Sequence, residues 1–398
     1  MKAASDADRL PWSPLLAFAT AAFVTILTEA LPAALLPQMA ADLRVSQAWV
    51  GQTVTAYALG SLLAAVPLVA VTRGVRRRPL LMAAVAGFVL ANSVTAWSGS
   101  FFWTMAARLV AGMSAGLLWA LLAGYAARLV GPGLRGRAIA VAMAGTPLAL
   151  SLGVPAGSWF GQWAGWRACF WAASILALGL LAWIRFSVPD FAGQQTGQRS
   201  TLASVLRRRG VRPVLLVVLA YVLAHNILYT YIAPYLAARG LGGQVDRALL
   251  VFGLAALPGI GLTGLLVDRH LQRLSLASTA VFGVAVAVLA LATESAPWMF
   301  AALAAWGLAF GGAATLFQTA LADAAAEEAD VAQSMLVTTW NAAIAGGGIA
   351  GGVLLQVVGV EAFAPVLLAL LGSAFALQVR PSGDGGRRPA EGLPTGCP

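Results

Sequence analysis

The sequence predicts an all-helical membrane protein whose twelve transmembrane helices form two pseudo-symmetric six-helix bundles. Three observations carry that expectation. Apolar stretches recur about twelve times, each near the ~20 residues a helix needs to cross about 30 Å of hydrocarbon at 1.5 Å per residue. Arginines gather in every second gap between these stretches, as they do in short cytoplasmic loops. The two halves echo each other at an offset of 196, which places Arg73 and Arg77 on Arg269 and Arg273, and Glu29 on His225.

In chain order the expected spans are 14–36, 48–71, 79–99, 102–128, 137–161, 166–186, 213–236, 247–267, 275–293, 298–320, 332–357 and 361–379. Before span 1, Lys2 and Arg9 mix with Asp6 and Asp8. The apolar run that follows is too long for a signal-peptide core and lacks an obvious cleavage site, so it reads as a retained span. Span 4 holds a buried-looking arginine, and span 5 is interrupted by Gly153-Val154-Pro155-Ala156-Gly157. After span 6 the longest loop, 187–212, contains Pro189 and the cluster Arg207 to Arg209. It divides an N-terminal bundle, 1–186, from a C-terminal bundle, 213–379, and a tail at 380–398 is expected to be disordered. Span 7 ends in tyrosines and Pro234, and span 11 in a glycine run from Gly346 to Gly352.

With the N-terminus inside, cytoplasmic segments hold about twenty Lys and Arg, and the external loops hold only Arg44, Arg167, Arg239 and Arg247. An even number of spans returns the C-terminus to the same side. The loop carrying Asp323, Glu327, Glu328 and Asp330 breaks the trend. Acidic residues weigh little in that rule, so the orientation stands.

Of the 398 residues 60% are hydrophobic and 10% charged, against about 25% charged in a globular domain. The net charge of +10 raises a nucleic-acid partner. The basic residues lie in short loops between apolar spans, which excludes it. Cys169 and Cys397 do not suggest a structural disulfide, and no metal-ligand or cofactor spacing occurs. The single lysine, Lys2, and the abundance of Ala and Gly suggest a bacterial source. The inner membrane is the expected location, and a monomer the expected state.

Three ionisable residues fall inside spans: Glu29, Arg108 and His225. A charge in hydrocarbon is costly, so such residues face a cavity or a partner. Glu29 and Arg108 lie at similar depth and could meet. Two readings of Glu29 stay open. As a proton carrier it would be neutral in a dry cavity and release its proton when water or a cation returns. As a static partner of Arg108 it would tie spans 1 and 4 together and stay charged. His225 is equally a core histidine or a ligand for proton or substrate.

Asn226, Tyr229 and Tyr231 in span 7, Trp119 in span 4, Gln318 in span 10 and Asn341 in span 11 are candidates for the wall of a solute cavity. Tyr229 and Tyr231 could instead form an interfacial belt, and the amides could be interhelical hydrogen bonds. The run from Gly346 to Gly352 contains a GxGxxG pattern inside an apolar span with no preceding strand, so it reads as close helix contact. The same holds for Gly112 with Gly116 and Gly307 with Gly311. No phosphate-binding loop, HExxH motif or nucleophile triad occurs, so neither an ATP-driven pump nor an enzyme is expected.

Together these residues resemble the major facilitator superfamily, in its twelve-span drug:proton antiporter branch. They are most similar to bacterial exporters of arabinose-type sugars, purine ribonucleosides and chloramphenicol. Thr28-Glu29 resembles that group's span 1. Tyr57 to Gly60, Pro67 and the run from Thr72 to Arg78 resemble its loop between spans 2 and 3. Arg108 with Gly112 resembles its span-4 motif, and Gly153, Pro155 and Gly157 its span-5 motif. Tyr229-Thr230-Tyr231, Pro234, Asp268-Arg269, Gln333-Ser334 and Asn341 resemble its second half. Thr72 stands where the family has Asp, Val75 where it has Gly, and Ala111 where it has Gln.

The resemblance implies alternating access, with export of a small solute against inward proton flow. Proton coupling is expected at Glu29, Arg108 and, as a titratable residue inside a span, His225, and gating at Arg73, Arg77, Gly153, Pro155, Gly157, Asp268 and Arg269. The partners implied are a small-molecule substrate, protons and the lipid bilayer. A proton-coupled importer or a uniporter would use the same cycle. A non-transporting membrane sensor would call for an appended soluble domain, and the residues after Arg380 form a short Gly-, Pro- and Arg-rich stretch.

Overall fold

The computed structural model describes residues 10–65, 71–72, 74–131, 134–192, 205–208, 210–291, 295–325 and 329–379. Arg73, Pro67, residues 193–204 of the central loop and the tail 380–398 lie outside them. No strand occurs among the described residues. A chain this apolar has to satisfy its backbone groups within each segment, and helices do so.

Ten described helices are long and apolar enough to cross a membrane. This count is compatible with twelve spans. The stretch Gly242–Leu291 contains both span 8 and span 9, and the helix of span 2, Gln47–Ala65, runs up to residues outside the described set. A loop between spans 8 and 9 is expected near residues 268–274. Within that interval two helices meet at His270, where the backbone leaves helical geometry (φ −136°, ψ 28°). No Gly or Pro occurs from Val267 to Leu276, so the connection is a kink at His270 rather than an extended loop.

Prolines set the other irregularities. Pro32 sits inside the first helix, Trp12–Ala34, and a short helix, Leu36–Leu43, follows with a turn at Arg44 (φ 55°). Span 5 forms a π-helical turn over Ala149–Gly153, immediately before Pro155. Pro155 has no N–H for the Ser151 carbonyl, and the wider turn accommodates that loss. Span 7 breaks at Tyr231, between Val211–Thr230 and Ile232–Ala237.

Below, the side of Trp12 is the near face and the side of residues 35–46 the far face. Within the first half, spans 2 and 4 pack closely, because a side chain on Gly112 would strike the Tyr57 carbonyl and one on Gly116 the Ser61 carbonyl. Spans 8 and 10 repeat this contact. Gly307 meets the Phe252 carbonyl and Gly311 that of Ala256. Each residue is displaced by 195 from its counterpart, so inside these helices the repeat runs one residue shorter than the 196 read from the loops. Small residues let helix backbones approach where lipid offers no hydrophobic drive.

The far-face corners repeat with charges exchanged. Arg167 pairs with Asp42 and lies 4.3 Å over the Trp166 ring, whose Nε1 donates to Asp42 at 2.8 Å. In the second half Arg239 lies 3.5 Å from Glu361 and 4.3 Å over the Tyr235 ring. On the near face, residues 188–192 strap the end of span 6 to the first half. Asp190 accepts from Arg76 Nε at 2.6 Å and from the Arg78 backbone N–H at 3.0 Å, and the Phe191 carbonyl accepts from Arg77 N at 2.9 Å. These bonds satisfy donors that the start of the helix Arg77–Trp97 leaves open. Tyr125 Oη donates to the Pro189 carbonyl at 2.6 Å, which completes the strap.

The halves meet where span 2 packs on span 11 and span 5 on span 8, and span 1 touches span 7. Gly253 of span 8 admits the backbone of Leu150 and Ser151, at the π-helical turn.

Candidate functional site

The centre of the first half is a polar nest around Arg108, whose side chain is fully buried. Its Nη1 donates to the Thr28 carbonyl at 2.7 Å, Nη2 to the Glu29 carbonyl at 3.2 Å and Nε to the Thr53 carbonyl at 3.4 Å. The Tyr57 ring lies 4.9 Å from the guanidinium carbon, and Tyr57 Oη donates to the Thr25 carbonyl at 3.1 Å. Pro32 explains the shortest of these bonds. In a helix the N–H at position 32 would serve the Thr28 carbonyl, and proline has none. Arg108 supplies the missing donor from another span. Asn92 Nδ2 reaches the Thr28 side chain at 2.9 Å and ties span 3 to the same point.

Glu29 therefore meets Arg108 through its backbone. Its carboxylate forms no ion pair with the guanidinium, although the two charges are close enough to interact. The Glu29 side chain is half-buried.

The second half presents rings at this interface. His225 stacks on Phe310 at 3.5 Å between centroids and 7° between planes. It lies 5.2 Å from both Tyr229 and Trp306, and Trp306 lies 4.5 Å from Phe252. His225 Nδ1, Tyr229 Oη and Trp306 Nε1 are buried with no hydrogen-bond partner. Asn226, beside His225, turns its amide back to the Val222 carbonyl at 2.9 Å.

Tyr231 does not join these rings. Its hydroxyl donates to the Gly348 carbonyl at 2.7 Å and lies 3.3 Å from the Ala48 carbonyl. Gln52 Nε2 donates to the same Gly348 carbonyl at 3.0 Å, and Thr55 Oγ1 reaches the Ala345 carbonyl at 3.3 Å. Nearer the far face Gln356 Nε2 donates to Ser46 Oγ at 2.9 Å. The glycine run of span 11 is thus wedged between spans 2 and 7, since side chains on Gly348 and Gly351 would strike Thr55 and Tyr231.

The remaining sequence-derived candidates scatter. Asn341 bonds its own helix at Val337, and the backbone carbonyl of exposed Gln318 accepts from Gln333. Trp119 is half-buried against the first-half core. Gly153 and Gly157 face Phe23 and Leu31 of span 1, while Pro155 follows the π-helical turn. Asp268 and Arg269 lie exposed beside the bend at His270, and Arg77 opens the helix of span 3. Trp306, Phe310, Gln52 and Asp190 escaped the sequence reading. Gln52 alone carried a signal, a polar amide five residues into an apolar span.

Two helical halves that repeat each other's contacts have the architecture of a membrane solute transporter. The chain belongs to the Major Facilitator Superfamily, whose sequence profile matches residues 18–348. It is 30% identical over 372 residues to the "transcription regulatory protein OpdE" of Pseudomonas aeruginosa, covering 90% of this chain and 92% of that one. Its fold is similar to the crystal structure of the human organic anion transporter MFSD10 (TETRAN), with a TM-score of 0.66 at 17% identity, over 93% of this chain and 98% of that chain. Small-solute transport across a lipid bilayer follows from the family.

Proposed function

We propose that this transporter exports a small solute in exchange for protons, and that Glu29 carries the proton. The observation that carries the reading is the division of labour beside Arg108. The guanidinium spends its donors on backbone carbonyls, which leaves the Glu29 carboxylate free to exchange a proton at the interface between halves. In a closed, dry state the neutral acid is favoured, and hydration on opening favours the carboxylate. His225 belongs to the opposite wall.

The near face is the cytoplasmic one, as the arginine bias supports. The protein then sits in a bacterial inner membrane as a monomer with both termini inside. Two bundles, 1–186 and 213–379, rock about the midplane, with 187–212 between them. The Tyr231–Gln52–Gly348 contacts form the outer gate, and the corner of Arg73 and Arg77 with the bend at Asp268 and Arg269 the inner one.

The test is a pair of vesicle assays. A pH jump, acidic on the far side, should drive solute out of the near side's compartment, and added solute should move protons the opposite way. Solute movement with no proton movement would identify a uniporter, and co-movement in one direction an importer. The name of the Pseudomonas relative favours one elaboration: export of a solute that acts as a transcriptional effector would alter gene expression without contact with DNA.

A further inference from the structure

We infer that the near-face kink between spans 8 and 9 holds the phosphate headgroup of an anionic phospholipid, gripped by Arg269 and Arg273 from the two sides of His270. Such a site is independent of which solute is carried and of how transport is coupled.

Three observations carry this. First, an open cleft of about 380 Å³ lies at the kink, lined by Arg269, His270, Leu271, Gln272 and Arg273. A water molecule takes about 30 Å³, so a phosphodiester fits with room to spare. Arg269 precedes the break in helical geometry at His270 and Arg273 follows it, and both are exposed. Guanidinium groups suit phosphate by charge and by their planar fork of donors. A headgroup between them would tie the end of span 8 to the start of span 9.

Second, these arginines lack the partner that the first half provides. There Asp190 accepts from the Arg76 side chain and the Arg78 backbone N–H. Arg269 and Arg273 form no ion pair among the described residues. Exposed Asp268, one residue before, offsets one of the two charges, so the cleft keeps a net positive charge that favours an anion over a zwitterion. Third, exposed apolar surface leads up to the cleft. Span 8 turns Phe252, Ala256 and Gly259 to span 10 and Gly253 to span 5. Leu262, Leu265 and Arg269 recur at three and four residues, which puts them together on another face. Leu265 is 81% exposed. An acyl chain lying on Leu265 brings its headgroup to Arg269, about 6 Å further along the helix. Free phosphate gains nothing from those leucines, so the surface favours a lipid.

The test titrates the purified full-length protein, in a non-ionic detergent, with phosphatidylglycerol, phosphatidylcholine or inorganic phosphate, and counts bound molecules by native mass spectrometry. The first phosphatidylglycerol should bind several-fold more tightly than phosphatidylcholine, and inorganic phosphate at the same concentration should not displace it. Arg273→Gln should weaken that first binding about fivefold, the weight of one basic residue beside an anionic headgroup. Arg269→Gln should do the same, which keeps the test alive if one variant fails to fold. Arg185→Gln, an exposed near-face arginine outside the cleft, should leave binding unchanged. Equal affinity for the two lipids, unchanged affinity in both cleft variants, or an equal loss in Arg185→Gln would overturn the inference. Displacement by inorganic phosphate would overturn it too, in favour of a soluble phosphate ligand. None of these outcomes bears on pH-driven solute movement in vesicles, so the inference fails separately from the transport reading.

Discussion

Arg108 donates to the Thr28 carbonyl at 2.7 Å, the carbonyl that Pro32 deprives of its helical donor. This relationship gives the arginine a job that does not involve the Glu29 carboxylate. It also makes the two residues thermodynamically linked. Arg108→Met should destabilise the protein by about 1–3 kcal/mol for the orphaned Thr28 carbonyl, with more for its other acceptors. Pro32→Ala restores an N–H at that carbonyl. The double variant should therefore recover part of the loss, and a double-mutant cycle of melting temperatures in detergent measures the coupling. Strict additivity would show that Arg108 and Pro32 act independently.

Tyr231 fastens span 7 to spans 2 and 11 through a single hydroxyl. Tyr231→Phe keeps the ring and removes those bonds. A net hydrogen bond is worth about 1 kcal/mol, so the far-open population should rise about fivefold. Distances between spin labels at positions 46 and 356, which face each other across the far side, report that population.

The paired glycine contacts predict matched responses in the two halves. Gly112→Leu and Gly307→Leu each drive a side chain into a backbone carbonyl, that of Tyr57 or Phe252. Both should lower the melting temperature by similar amounts. Gly124→Leu, in open space on the same helix as Gly112, should change it little.

Asp190 confers a pH dependence on the near-face strap. The Arg78 backbone N–H, then the Arg76 side chain, hold its carboxyl below the usual carboxylate range. A depressed folded-state value means the stabilisation is fully present above the unfolded value of about 3.9, and is lost as pH falls from there through the folded value. Melting temperature should thus drop in acid below about pH 4, and Asp190→Asn should remove that component while lowering stability at neutral pH.

How much of this was legible in the sequence follows from what each feature depends on. Span length and arginine spacing are local, so the fold class and helix positions could be read directly. Polarity placed the break between spans 8 and 9 correctly, but with no Gly or Pro there it shrinks to a kink at His270. Glu29, Arg108 and His225 stood out because charge is rare in spans. Their depth could be read along each helix, but not their facing, so the backbone role of Arg108 stayed hidden. Trp306 and Phe310 carry no signal, being apolar rings in an apolar span. Asp190 acts on a helix start 112 residues away, a contact no local pattern encodes.

Glu29→Gln tests the central claim most directly. In vesicles carrying the purified protein, solute counterflow should persist, because a neutral side chain still permits the halves to rock. Efflux driven by a pH gradient should fall to the level of empty vesicles. Undiminished gradient-driven efflux by Glu29→Gln would contradict the assignment of the proton to this residue.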